Sequence, residues 1–108
     1  MYKKTIGKAG ERFAAEYLEA KGYRIIETDY KLKFCQIDII ARDEWGVHFI
    51  EVKTRSDTGF GRPAEAVDKK KLHHIRNGAE FYIRKNKIDE PVIIDVFEIL
   101  VNHIEGVE

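Results

Sequence analysis

At 108 residues the chain is long enough to bury one core and too short for two, so a single domain over residues 1–108, carrying one site unless copies associate, is expected. A hydrophobic share of 44% beside a charged share of 35% excludes a disordered chain. Nineteen Lys plus Arg offset nineteen Asp plus Glu, which excludes a polyanion partner held by bulk charge and leaves only local patches for that purpose.

The stretch from Gly7 to Gly22 places Ala9, Phe13, Ala14, Tyr17 and Leu18 at spacings of three and four, which predicts an amphipathic helix closed by Gly22. Tyr23 to Tyr30 is a β-branched and aromatic run suited to a strand. "QIDIIAR" and "VHFIEVKT" flank "DEWG", whose Asp and Gly are turn residues, so a hairpin is expected there. "RSDTGFGRP" reads as an exposed loop before Pro63 opens a second helix, from about Ala64 to about Arg84, with Val67, Ile75, Ala79 and Tyr82 towards the core. "PVIIDVFEILV" is a last strand, and residues from about 103 to 108 are a loose tail. The order α-β-β-β-α-β puts a crossover helix between the third and fourth strands, which predicts a parallel pair there and an α/β fold with a mixed sheet flanked by helices.

Cys35 is the only cysteine, which excludes an internal disulfide framework and a multi-cysteine zinc site. The segment "MYKKTIGKAG" has no apolar core of a signal peptide, and no apolar run approaches the length of a membrane span. A cytoplasmic protein without a membrane partner is therefore expected.

The hairpin carries the chemistry. With Asp43 paired to Gly46 across the turn, partner positions sum to 89, which sets Asp38 opposite Glu51 and Gln36 opposite Lys53. Ile37, Ile39, Ile50 and Val52 then form the apolar side. Two carboxylates facing each other call for a proton, a lysine or a cation, and a divalent metal supplies this well: hard oxygen ligands with open positions suit Mg²⁺ or Mn²⁺. Lys53, on the face of Glu51, is placed to orient a water or to stabilise charge building on phosphorus. Glu11 lies almost in line with Leu18 on the first helix, so it follows the apolar stripe and could reach the edge of the acidic patch. The plainer alternatives are a solvated strand face with a cross-strand ion pair, and a favourable charge in the first helical turn.

An acid followed on the next strand by Glu-x-Lys resembles the signature of the restriction-endonuclease-like, PD-(D/E)XK nuclease superfamily. Joined to "GKAGERFAAEYLEAKGYRIIETDY", "FGRPAEAVDKKK" and "IIDVFEI", it is similar to the YraN family of small predicted endonucleases, over nearly the whole chain. The resemblance implies a restriction-endonuclease-like fold and a metal-dependent nuclease acting on DNA, branched or repair intermediates among its substrates. It implies Asp38 and Glu51 as metal ligands, Lys53 as the catalytic lysine and Glu11 as the acid of the first helix. Gln36 stands where the family usually has an acid, and Leu72 where a Gln is common.

Arg55 and Arg62 flank the predicted loop beside the site and are candidate phosphate contacts. Lys69, Lys71 and Arg76 offer a basic helix surface that could do the same or simply be solvated. The competing function is a non-catalytic nucleic-acid-binding module that keeps the fold. A third possibility is an interaction protein that forms a homodimer through the sheet edge or second helix, and a dimer would also suit a nuclease, since two sites can address two strands.

Overall fold

The computed structural model describes residues 2–55 and 69–108, in the order α1 (Tyr2–Ala20), β1 (Arg24–Lys31), β2 (Gln36–Asp43), β3 (Gly46–Arg55), α2 (Lys69–Asn86) and β4 (Val92–Leu100). Arg62, Pro63, the expected helix start at Ala64 and Val67 lie outside the described residues. One mixed sheet has the strand order β1-β2-β3-β4, with β3 and β4 parallel and the other pairs antiparallel. A strand returned through a helix must run alongside its predecessor, so the parallel pair follows from the chain order. The arrangement is the restriction-endonuclease-like one expected from sequence.

Each face of the sheet is covered by one helix. Ala14 and Leu18 of α1 pack on Ile39, Ala41 and Ile50, while Ile75, Ala79 and Tyr82 of α2 pack on Ile37, Ile40, Val47 and Phe49. Phe13 and Tyr17, expected in the core stripe of α1, instead lie on its flank, 52% and 44% exposed, where Tyr17 meets Phe97 edge-on with ring centroids 5.4 Å apart. Ile37 departs from expectation as well: it belongs to the α2 side, opposite Ile39 and Ile50. The strict alternation assumed for the hairpin breaks at the residue between them, Asp38.

At the hairpin tip the Asp43 carboxylate accepts the Trp45 and Gly46 amides at 2.9 and 3.2 Å, leaving the Trp45 ring 69% exposed. Gly46 sits at φ 151°, and an added Cβ would run into the Pro91 carbonyl oxygen, which accepts the Val47 amide at 2.9 Å. Backbone on both sides of the clash leaves little room to relax. Gly46→Ala should therefore cost about 2–3 kcal/mol in urea unfolding; an unchanged midpoint would refute this close approach.

Below the turn, buried His48 meets a carboxylate at each ring nitrogen, Asp95 at 2.6 Å and Asp43 at 2.8 Å, tying the hairpin to β4. Burial works against the Asp43 charge, but the bonds from His48 and the turn amides outweigh it and hold its pKa below the usual value. Residues 101–108 carry no helix or strand, and Val101 donates its amide to Arg55 at 2.8 Å. Among the described residues, no helix is long and apolar enough to cross a membrane.

Candidate active site

The β2–β3 ladder keeps the predicted register from Asp43↔Gly46 to Ile39↔Ile50 and then stops. Beyond that point Ile37 and Gln36 stay with β1, opposite Tyr30 and Lys31, whereas Glu51, Val52 and Lys53 stay with β4, opposite Val96, Phe97 and Glu98. The strands part and Asp38 fills the fork, its Oδ2 accepting the Val52 N–H at 2.8 Å. A side chain thus takes the place of a ladder bond, which explains both the lost alternation and two departures from the predicted register. Asp38 meets Glu51 through its side chain rather than as a ladder partner. Gln36 does not face Lys53; it pairs with Lys31 and its amide nitrogen donates to Asp29.

The predicted patch is not a solvated face: Asp38 is 8% exposed and Glu51 4%. Burial pushes the Asp38 pKa up from its ordinary value to about 7; the Val52 amide opposes this, and the charges of Glu51 and Glu11 and the hydrogen bond with Glu51 reinforce it. Two buried carboxyls this near each other do not both carry charge cheaply, and that favours the protonated form of Asp38. Two ammonium groups approach Glu51 Oε2, Lys53 Nζ at 3.6 Å and Lys71 Nζ at 3.3 Å. Glu11, half-buried on α1, has its own pKa raised by burial and then by Asp29 and Glu51. It also lines a cleft of about 300 Å³ with Lys4, Lys8, Asp29, Lys31 and Gln36.

The fold therefore gathers Asp38, Glu51 and Lys53 and sets Glu11 within electrostatic reach. Among the proposed phosphate contacts, Arg55 is paired through Nε with Glu98 Oε2 at 2.9 Å, Lys69 and Arg76 are exposed on α2, and Arg62 lies outside the described residues. Lys71, assigned from sequence to the nucleic-acid surface, reaches Glu51 instead. Its spacing from Ile75, Ala79 and Tyr82 puts it on the sheet-facing stripe of α2, a signal that was available in the sequence. The lysines of the cleft carry no sequence signal, because nothing local in "YKKTIGK" ties Lys4 and Lys8 to Lys31.

Among the described residues, no group of three or more His, Cys, Asp or Glu is arranged to hold a metal ion. The donor set is smaller, two buried carboxylates with hard oxygen atoms. That fits Mg²⁺ better than metals needing a full protein cage, since Mg²⁺ is commonly held by one or two carboxylates with water and phosphate completing its shell.

The model of a family described as "Uncharacterised protein family UPF0102" matches residues 10–99, a span holding the whole fork. The chain is 43% identical over 99 residues to a UPF0102 protein of Alkaliphilus metalliredigens, covering 91% of this chain and 87% of that one. It is 43% identical over 110 residues to one of Clostridioides difficile, covering 96% of each. A relative from Persephonella marina is 41% identical over 99 residues, 91% of this chain and 85% of its own. By the length and continuity of these matches, the chain belongs to UPF0102, the YraN family, with the nuclease-like fold described above.

Proposed function

We propose that the chain is a metal-dependent nuclease that hydrolyses phosphodiester bonds of DNA. The observation that carries this reading is the burial of Asp38 and Glu51 together in a strand fork, with the Lys53 ammonium 3.6 Å from Glu51. Burying two acids together costs stability, and a cation at that position turns the cost into a binding site. Asp38 and Glu51 would hold Mg²⁺ or Mn²⁺, which when bound polarises a phosphoryl oxygen and makes a water acidic enough to attack at neutral pH. Lys53 orients that water or stabilises the charge growing on phosphorus. Glu11 adds negative charge from the α1 side. Lys71 pairs with Glu51 and, with Lys53, balances its charge. Lys4, Lys8 and Lys31 along the cleft are suited to the backbone phosphates leading into the site, and Lys69 and Arg76 to a flanking contact.

A second reading has its own support. Gln36, which stands where the family usually has an acid and is turned to Asp29, and a formal net charge of zero favour a DNA-binding module that keeps the nuclease fold without cutting. Branched, single-stranded and duplex DNA incubated with Mg²⁺, Mn²⁺ or EDTA decide between them, using wild type, Asp38→Ala and Lys53→Ala. The nuclease reading expects cleavage that requires the metal and falls about 100-fold or more in both variants. Cleavage in EDTA, or equal cleavage by all three proteins, would sink it. Salt-sensitive binding without cleavage, indifferent to Mg²⁺ and to Asp38→Ala, would establish the binding module instead.

A further inference from the structure

The two edges of the sheet are built differently. The outer edge of β1 is guarded in the usual way: Arg24, Glu27, Asp29 and Lys31 lie along it, the register shifts between Ile25 and Glu27, and Asp29 adopts φ 53°. Strand β4 lacks the register shift, the positive φ and the basic residues. It pairs with β3 without a break from Val92 to Leu100, contains no lysine or proline, and leaves Val92, Val96 and Leu100 39%, 44% and 61% exposed. Its two acids are already partnered within the chain, Asp95 by His48 and Glu98 by Arg55. Over the α1 side, exposed Phe13 and Tyr17 extend the apolar surface, with a groove of about 360 Å³ beside Ile6, Ile99 and Val101. Among the described residues nothing pairs with the outer edge of β4. A long, unbroken, largely apolar edge of this kind is a template for another strand.

We propose that the occupant is a second copy of this chain, its β4 antiparallel to the first about a two-fold axis at Val96. The strand is self-complementary in that register. Partner positions sum to 192, so all nine residues pair, Val92 with the copy's Leu100 and Val96 with the copy's Val96. Asp95 falls opposite Phe97, and Glu98 opposite Ile94, so no acid meets an acid. Centring the axis on Asp95 would set that residue against itself, and centring it on Phe97 would shorten the ladder. The chosen register has a functional consequence. Glu51 is the β3 neighbour of Val96, so two copies of the candidate site lie on the same face of a continuous eight-stranded sheet, three strand spacings or roughly 14 Å apart.

The nine strand residues with Phe13 and Tyr17 make a smaller interface than the 20–30 residues a side of a standard complex, so a dimer with Kd in the range of about 1–100 µM is expected. Sedimentation equilibrium of the full chain over that range should show a concentration-dependent dimer. Val96→Lys, at an exposed position, should sediment as a monomer throughout while keeping the wild-type circular dichroism. In a Cys35→Ser background, Val96→Cys should form a 96–96 disulfide on mild oxidation, because residues on the axis bring their Cα atoms within bridging distance. A wild type monomeric throughout would overturn the proposal. So would a dimer indifferent to Val96→Lys, or one whose Val96→Cys variant fails to cross-link.

Discussion

Glu51→Gln is expected to lower metal-dependent DNA cleavage by about a thousandfold or more. Glu51 stands at the centre of the site: its charge acts on Asp38 and it is approached by Lys53 and Lys71, with only 4% of its surface exposed. The amide keeps the shape and one acceptor oxygen but removes the charge that would bind a cation and that holds both ammonium groups. On the proposed function, DNA affinity in EDTA should be unchanged or tighter, because a negative charge has been taken from beside the path assigned to the phosphates. Measuring cleavage and binding on the same substrates separates the two effects. Retained cleavage at the wild-type rate would remove Glu51 from the site, whereas joint loss of binding and of the folded circular dichroism would indicate a structural role.

The second large effect concerns pH. Folded Asp38 titrates near 7, well above the ordinary aspartate value, so between about pH 4 and 7 the folded chain holds a proton that the unfolded chain has lost. The stability this carboxyl contributes is therefore complete below the unfolded pKa and is lost as pH rises through 7. The rise from the ordinary aspartate value to about 7 sets a ceiling of about 4 kcal/mol over the whole range, and about 2 kcal/mol is the expected loss within the window from pH 5 to pH 8 in metal-free buffer. Asp38→Asn can still accept the Val52 amide and donate to Glu51 without carrying charge. Its urea midpoint should vary less with pH and exceed that of wild type at pH 8. Adding Mg²⁺ at pH 8 should stabilise wild type more than the variant, since a ligand that binds the folded state raises its stability. Parallel pH profiles for the two proteins would refute the assignment.

Much of this arrangement could be read in the residues. Asp43 and Gly46 set the turn, and the turn set the register as far as Ile39↔Ile50, because each apolar residue of β2 and β3 had a core to enter. Local patterning failed where a side chain competed with the backbone: Asp38 takes the Val52 amide, the ladder ends, and Ile37 turns to the α2 side. Nor does any local signal join His48 to Asp95, which lie 47 residues apart and meet only because β4 returns beside β3. The carboxylates were legible as a pair because both flank one turn. The approach of Lys71 needed the packing of α2 to be known, although its place on the helical stripe pointed there.

The exposed indole at the hairpin tip has a practical consequence. Trp45 is the chain's single tryptophan and is 69% exposed, so its fluorescence in the folded protein should resemble that of indole in water and change little on unfolding. Emission from this residue reports the hairpin tip, while loss of the core is better followed through the buried ring of Tyr82, packed edge-on against Phe49 and Tyr30, by near-ultraviolet circular dichroism. The same exposure makes Trp45 a built-in sensor of anything that docks on that end of the molecule, since a partner covering it would shift the emission to the blue without disturbing the fold.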